Sequence, residues 1–262
     1  MTVSSKAESV IVQYEGKVAT VMLNRPEVLN ALDEDTLKQL SLKLKEVAES
    51  SAHIVVLCGN GRGFSAGGDI KSMLSKGDES AFEGIMDAIS DIIVTLYTMP
   101  KIVVSAIHGP TAGLGLSIAL TADYVIADQS SVVAMNFIGI GLIPDGGGHF
   151  FLQKRLGEHV AKKIIWEGKK LSASEALAIG MIDEVVEENF QDAVKHKVNN
   201  LLKKPILSMV KTKEVLCETN RSALEQTLQL EKRGQYEMRQ TADHKEGIAA
   251  FLEKRLPIFK GE

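Results

Sequence analysis

Ile54-Val55-Val56-Leu57-Cys58-Gly59-Asn60-Gly61-Arg62-Gly63-Phe64-Ser65-Ala66-Gly67-Gly68-Asp69-Ile70-Lys71 runs from an unbroken apolar segment straight into a glycine-rich loop. Such a run, bounded by glycines, reads as a strand buried on both faces, the habit of parallel sheets. Glycines after a strand let backbone N–H groups approach and face a ligand. The same order recurs where residues 102–107 precede His108-Gly109-Pro110-Thr111-Ala112-Gly113-Leu114-Gly115. Two such loops can converge on one oxygen and stabilise charge that develops there. Each taken alone is equally readable as a plain turn.

Outward from these loops the chain alternates strands and helices. Residues 9–14 and 18–23 read as β-strands joined through Glu15-Gly16-Lys17, a hairpin. Leu37, Leu40, Leu44 and Val47 recur at helical spacing over 33–50, with Asp33 available as a cap. Helices are expected over 85–96, ended by Met99-Pro100, and over 114–120 and 150–156, with a further strand at 124–127. This alternation predicts an α/β fold with mostly parallel strands. From about residue 172 strands become scarce, and helices are expected over 174–180, 190–202, 205–218 and 222–239, with Pro205 in a first turn. The chain divides on this reading into a core, 1–200, and a helical C-terminal region, 201–262, that covers the core or makes a subunit contact.

Composition narrows the function. The chain has 262 residues, 45% apolar and 24% charged, as in ordinary globular proteins. A net charge of −4 offers no general attraction to nucleic acid or to an anionic membrane, though a local basic cluster could still hold a small anion. Cys58 and Cys217 form no disulfide framework, and Cys58 reads as a small buried apolar residue. Residues 1–6 lack an apolar signal core, and no apolar run is long enough to span a bilayer. A reducing, cytoplasmic compartment is expected. The histidines show no metal-ligand spacing, and His108 reads as a loop residue.

Several motifs fail on one residue each. Gly63 to Gly68 has P-loop spacing, but Asp69 stands where lysine is required. Gly113-Leu114-Gly115 lacks the third glycine of a dinucleotide fingerprint. Ser117 sits in a near nucleophile elbow whose last glycine is Ala119.

One acid stands out, in Gly139-Ile140-Gly141-Leu142-Ile143-Pro144-Asp145-Gly146-Gly147-Gly148. Apolar surroundings raise a carboxylate's pKa, which suits it to take and return protons. The same Asp145 could equally cap the helix expected over 150–156.

Together the loops resemble the crotonase (enoyl-CoA hydratase/isomerase) superfamily over nearly the whole chain. Leu23-Asn24-Arg25-Pro26-Glu27-Val28-Leu29-Asn30-Ala31-Leu32 resembles its N-terminal CoA-contacting loop, and Phe64 to Lys71 its first oxyanion loop. Leu120-Thr121-Ala122-Asp123-Tyr124-Val125-Ile126-Ala127 and Ala250-Phe251-Leu252-Glu253-Lys254-Arg255, followed by Pro257 and Phe259, match in the same order.

The resemblance implies a spiral of β-β-α units with a helical C-terminal part that assembles as a homotrimer or a dimer of trimers. It implies an acyl-CoA substrate and no separate cofactor, since coenzyme A enters within the thioester. It also implies an oxyanion hole from the N–H groups of Ala66 and Leu114, where most relatives have glycine in place of Leu114. Substrate contacts are implied for Arg25, Val28, Ala66, Gly68, Asp69, Ile70, Lys71, Phe137 and Leu142, with Arg25 and Lys71 serving phosphates. Asp69 otherwise reads as a helix cap, and Asp123 as structural.

The departure lies in the acids. Hydratases of this superfamily use two glutamates, and at the matching positions this chain has Ser117 and Phe137. Asp145 then resembles the single acid of double-bond isomerases, including that of phenylacetate breakdown. The expectation is an enoyl-CoA isomerase with Asp145 as proton shuttle. The alternatives are a hydratase of the same superfamily and a weakly catalytic CoA- or RNA-binding homologue.

Overall fold

In the computed structural model, residues 8–70 and 79–262 are described. The first half contains β1 (Val10–Glu15), β2 (Val18–Leu23), α1 (Glu34–Glu49), β3 (Ile54–Gly59), α2 (Glu79–Thr98), β4 (Ile102–Ile107), β5 (Pro110–Ala112) and α3 (Leu114–Leu120). There follow β6 (Tyr124–Asp128), β7 (Val132–Ala134), α4 (Gly148–Glu167), β8 (Lys170–Ser172), α5 (Ala173–Ala178) and β9 (Glu184–Val186). The chain closes with α6 (Phe190–Leu202), α7 (Ile206–Arg239) and α8 (Ala242–Glu253).

The main sheet has the order β1-β2-β3-β4-β6-β9, antiparallel only in the β1–β2 hairpin and parallel thereafter. Alternate residues of its central strands feed two cores, as the strand period requires. Val55, Leu57, Val103, Ile107, Val125 and Ala127 join Leu37, Leu40 and Leu44 of α1 and Ile92, Ile93 and Leu96 of α2. Ile54, Val56, Ile102, Val104 and Ile126 face Val194, Val198 and Leu201 of α6. Both faces are covered, which is why these strands read as unbroken apolar runs. The α1 start is capped as expected, with Asp33 accepting the Thr36 N–H.

A second layer, in the order β5-β7-β8, was not legible in the sequence because each strand has three residues. Parallel bridges between Leu32 and Gly68 and between Ser65 and Thr111 extend this layer across the glycine loops. Each turn of the chain thereby adds one strand to each layer and one helix outside. This is the crotonase spiral of β-β-α units, with a helical C-terminal region.

The two helices expected over 205–218 and 222–239 are one, α7, of 34 residues. Its polar middle does not break it: Thr219 Oγ1 donates to Val215 O and Asn220 Nδ2 to Leu216 O, back along the helix. Pro205 stands just before the first turn, at the N-cap. The helix expected over 150–156 begins at Gly148 and continues past a kink at Gly157 (φ 75°) to Glu167. Leu224 and Leu228 place α7 in the main core, so this helix lies over the loop that carries Asp145.

Candidate active site

The two glycine loops meet at the edge of the second layer. Ala112 N–H donates to Ser65 O at 2.9 Å, and Ser65 N–H to Pro110 O at 3.2 Å. Gly67 adopts φ +92°, and a Cβ there would stand 2.7 Å from Ala112 O and 3.4 Å from the Leu114 nitrogen. Only glycine permits that conformation and that approach.

The donors differ from expectation at one position. Ala66 N–H is committed to Leu29 O at 2.9 Å and is not free to hold a ligand oxygen. A backbone N–H carries one proton, so this bond removes Ala66 from the donor set. Gly68 N–H and Leu114 N–H have no acceptor among the described residues. Leu114 is the first residue of α3, where an N–H lacks an intrahelical partner.

Asp145 lies beside α3. Its half-buried side chain places Oδ1 out of solvent with no hydrogen-bond partner among the described residues. Oδ2 is 3.5 Å from Gln235 Nε2. Burial disfavours its charged form and the negative Glu231 adds to this, so its pKa is pushed up from 3.8 to about 8. Its own backbone N–H offsets a smaller part. The capping role is overturned. The N-cap of α4 is Gly147, and no side chain of the loop caps it.

The cap comes from α7. Glu231, only 2% exposed, accepts Gly147 N–H at 2.7 Å and His149 N–H at 3.1 Å. Its Oε1 is also 2.8 Å from His149 Nδ1. One helical turn later Gln235 donates to Ile143 O at 2.5 Å. From the other side, Ser117 of α3 donates to Asp145 O at 2.7 Å. Ser117 donates to Asp145 O and has no histidine or other base as partner among the described residues, which removes the nucleophile-elbow reading. The loop is therefore held by its backbone at Ile143, Asp145 and Gly147, while the Asp145 carboxyl is left largely unpaired.

Apolar side chains approach Asp145 through its neighbour Gly146. A Cβ on Gly146 (φ +62°) would meet Leu114 Cδ1 at 2.6 Å, Ser117 Cβ at 3.1 Å and Ile89 Cγ2 at 3.6 Å. The Phe137 ring lies 3.7 Å from the Cβ position of Gly113, facing the oxyanion loop. Leu142 is buried, with its N–H on Phe137 O. Ile143 packs against Gly234 of α7.

The CoA candidates are dispersed. Val28 is exposed in a short 3-10 turn, and Ile70 is half-buried. Arg25 is not the free cation expected for a phosphate. It donates to Ala31 O and pairs with Asp33 at 3.0 Å and Asp69 at 3.5 Å. Asp69 thus serves Arg25, and the helix that it was expected to cap falls outside the described residues. Lys71 lies outside the described residues.

Asp123 is structural as expected, accepting Val103 N–H at 2.8 Å and pairing with buried Lys213 at 2.9 Å. His108 is a loop residue whose Nε2 is 2.9 Å from Gly61 O. Cys58, half-buried, has its thiol pushed up to about 11 by burial. No cluster that could hold a metal ion occurs among the described residues, and no helix among them is long and apolar enough to cross a membrane.

Glu231 and Gln235 were missed in the sequence. Their only signal is a spacing of four on a long helix, beside buried Leu224 and Leu228. An ordinary solvated face has the same spacing.

Comparison with known proteins agrees along nearly the whole chain. The enoyl-CoA hydratase/isomerase family matches residues 13–262. YhaR of Bacillus subtilis strain 168 is 49% identical over 251 residues, covering 95% of this chain and 98% of that protein. The 1,2-epoxyphenylacetyl-CoA isomerase of Escherichia coli K12 is 34% identical over 260 residues, covering 97% and 99%. Among solved structures, an enoyl-CoA hydratase from Mycobacterium avium subsp. paratuberculosis K-10 superposes with a TM-score of 0.88 at 30% identity, covering 97% and 99%.

Proposed function

The chain belongs to the enoyl-CoA hydratase/isomerase (crotonase) family, and from that premise we propose that it is an enoyl-CoA isomerase with Asp145 as its single proton shuttle. The observation that carries this reading is the buried Asp145 carboxyl, raised to about pKa 8 and left with one oxygen unpaired. Ser117 and Phe137 occupy the positions where the family's hydratases keep their acids, and neither can move a proton to or from water. Ser117 is spent on Asp145 O, and Phe137 is a hydrocarbon wall.

In this reading the thioester oxygen lies between the N–H groups of Gly68 and Leu114. Asp145, as carboxylate, takes a proton from the carbon next to the thioester. The C–H electron pair moves into the conjugated system, and negative charge collects on the thioester oxygen as a dienolate. Donors already in position stabilise that charge without reorganisation. Asp145 then returns its proton to the carbon at the far end of the dienolate, and the double bond has moved. No water is added and none is wanted, which suits the apolar contacts of Leu114, Ile89 and Phe137. No cofactor is needed, because coenzyme A arrives as part of the substrate.

Assembly as a homotrimer or a dimer of trimers belongs to the same proposal. Supporting it, Phe251, Leu252, Leu256 and Ile258 at the C-terminal end are exposed to solvent in the single chain.

Two assays test the activity. The protein should convert a 3-enoyl-CoA to the conjugated 2-enoyl-CoA, and Asp145→Asn should lower that rate by roughly 10²–10⁴ with acyl-CoA affinity retained. Hydration of crotonyl-CoA faster than isomerisation would overturn the isomerase reading in favour of a hydratase. An unchanged isomerisation rate in the Asn variant would remove Asp145 as the base.

A further inference from the structure

Arg239 is the cation on the seam between α2 and α7 for which the described residues supply no anion. The other partly or fully buried cations among the described residues are satisfied. Arg25 pairs with Asp33 and Asp69, Arg155 with Asp183, Lys213 with Asp123, and Lys101 donates to Ser50 O and Ala52 O. Arg239 is half-buried, and its guanidinium lies 4.9 Å from the centre of the Phe82 ring. No carboxylate pairs with it among the described residues. Burial lowers its pKa from the ordinary value, and no acidic neighbour offsets that cost. A ring face compensates a desolvated guanidinium less well than a carboxylate, which it can meet with two parallel hydrogen bonds.

Its position relative to Asp145 gives that unmet charge a meaning. Glu231, Gln235 and Arg239 are four residues apart and share one face of α7. Gln235 reaches Asp145, and Arg239 lies one turn on, about 6 Å further along the helix axis. The opposite wall runs in parallel. Ile89 of α2 stands beside Gly146 at the inner end, and Phe82 stands under Arg239 at the outer end, with buried Met86 between them. The walls are tied by an ion pair between Lys232 and Asp87 at 2.7 Å and by the Phe82–Tyr236 ring contact at 6.0 Å. The seam therefore joins the Asp145 loop to a guanidinium through apolar side chains. His244, another titratable group near Arg239, is bonded through Nδ1 to Ile140 O, and burial together with the positive Arg239 lowers its pKa. It supplies no negative charge.

Resting on the acyl-CoA reading above, we propose that Arg239 selects an acyl group whose far end carries a carboxylate. The apolar seam would take the chain and the guanidinium its terminus. A methyl-ended chain would leave Arg239 as it stands now, desolvated against Phe82 with no anion.

Binding of saturated thioesters tests this without depending on which reaction the enzyme performs, since such ligands are neither isomerised nor hydrated. Adipoyl-CoA and hexanoyl-CoA differ only in the terminal group. Calorimetry should show the native protein binding adipoyl-CoA roughly 10- to 100-fold tighter, the worth of a charge-assisted contact. Arg239→Leu should abolish that preference with hexanoyl-CoA affinity retained, and Arg239→Lys, a gentler change, should keep part of it. Equal affinities in the native protein would overturn the inference. So would an Arg239→Leu variant that weakens both ligands alike, since that pattern marks a contact to the CoA phosphates or to packing. A preference that survives alongside failed isomerisation would reject the isomerase reading and leave Arg239's role intact.

Discussion

Asp145 and Glu231 are two carboxylates on facing elements of one site, and the protein treats them in opposite ways. Glu231 is the more deeply placed, yet each of its oxygens accepts a backbone N–H at the start of α4, and His149 adds a further contact. Asp145 has one oxygen with no partner among the described residues and the other at the limit of Gln235's reach. A buried acid that is fully hydrogen-bonded organises structure. A buried acid left short of partners has its proton equilibrium displaced, and its chemistry becomes available. The two are coupled, because the anchored charge helps to keep the proton on the unanchored one.

The largest effect that would break this contrast is on stability as a function of pH. Asp145 has its folded pKa raised from 3.8 to about 8. Below the lower value both folded and unfolded states hold the proton, and nothing is lost. As pH rises toward about 8 the unfolded chain ionises while the folded one resists, so native stability falls across that window. Asp145→Asn escapes this penalty. Urea unfolding should show the variant gaining up to roughly 5 kcal/mol over the native protein between pH 4 and pH 8. A constant difference between the two across that range would show that Asp145 is not held protonated by the fold.

Glu231→Gln should come next. It leaves two N–H groups poorly matched and should cost roughly 1–3 kcal/mol. It also removes the like charge, so the Asp145 pKa falls and the acid limb of the isomerisation profile moves to lower pH. The groups set around Asp145 are Glu231 and Gln235 from α7, His149 from α4 and Ser117 from α3, so Glu231 is the acid among them. A variant with reduced stability but an unmoved pH profile would make Glu231 a cap and nothing more.

Ser117→Ala is the smallest of the series. Loss of the bond to Asp145 O should lower stability by about 1 kcal/mol, read as a small drop in Tm. The pH profile should keep its position, because the hydroxyl holds backbone and carries no charge.

Much of this site was legible because its elements are local. The strands at 54–57 and 102–107, the helix over 114–120 and the Asp33 cap follow from apolar runs, spacing and one side chain each. The reading failed where partners are distant in the chain. Asp145 looked like a cap for a helix just after it, and that cap comes instead from Glu231, 82 residues beyond His149. Ala66 looked like the free donor, but Leu29 O, in a loop 37 residues earlier, takes its N–H and leaves Gly68 with Leu114. Arg25 looked available for phosphate, and two aspartates of neighbouring turns neutralise it.

The sequence by itself determined the layered α/β framework, the two glycine loops at its edge and the presence of one acid in an apolar setting. Those are properties of short windows, governed by periodicity, backbone freedom and side-chain type. Tertiary structure alone decided which N–H groups remain free, which carboxylate stays unpaired and which cation goes without an anion. Each of those depends on what a group meets across the fold, and hydrogen-bond satisfaction and desolvation are set by neighbours in space.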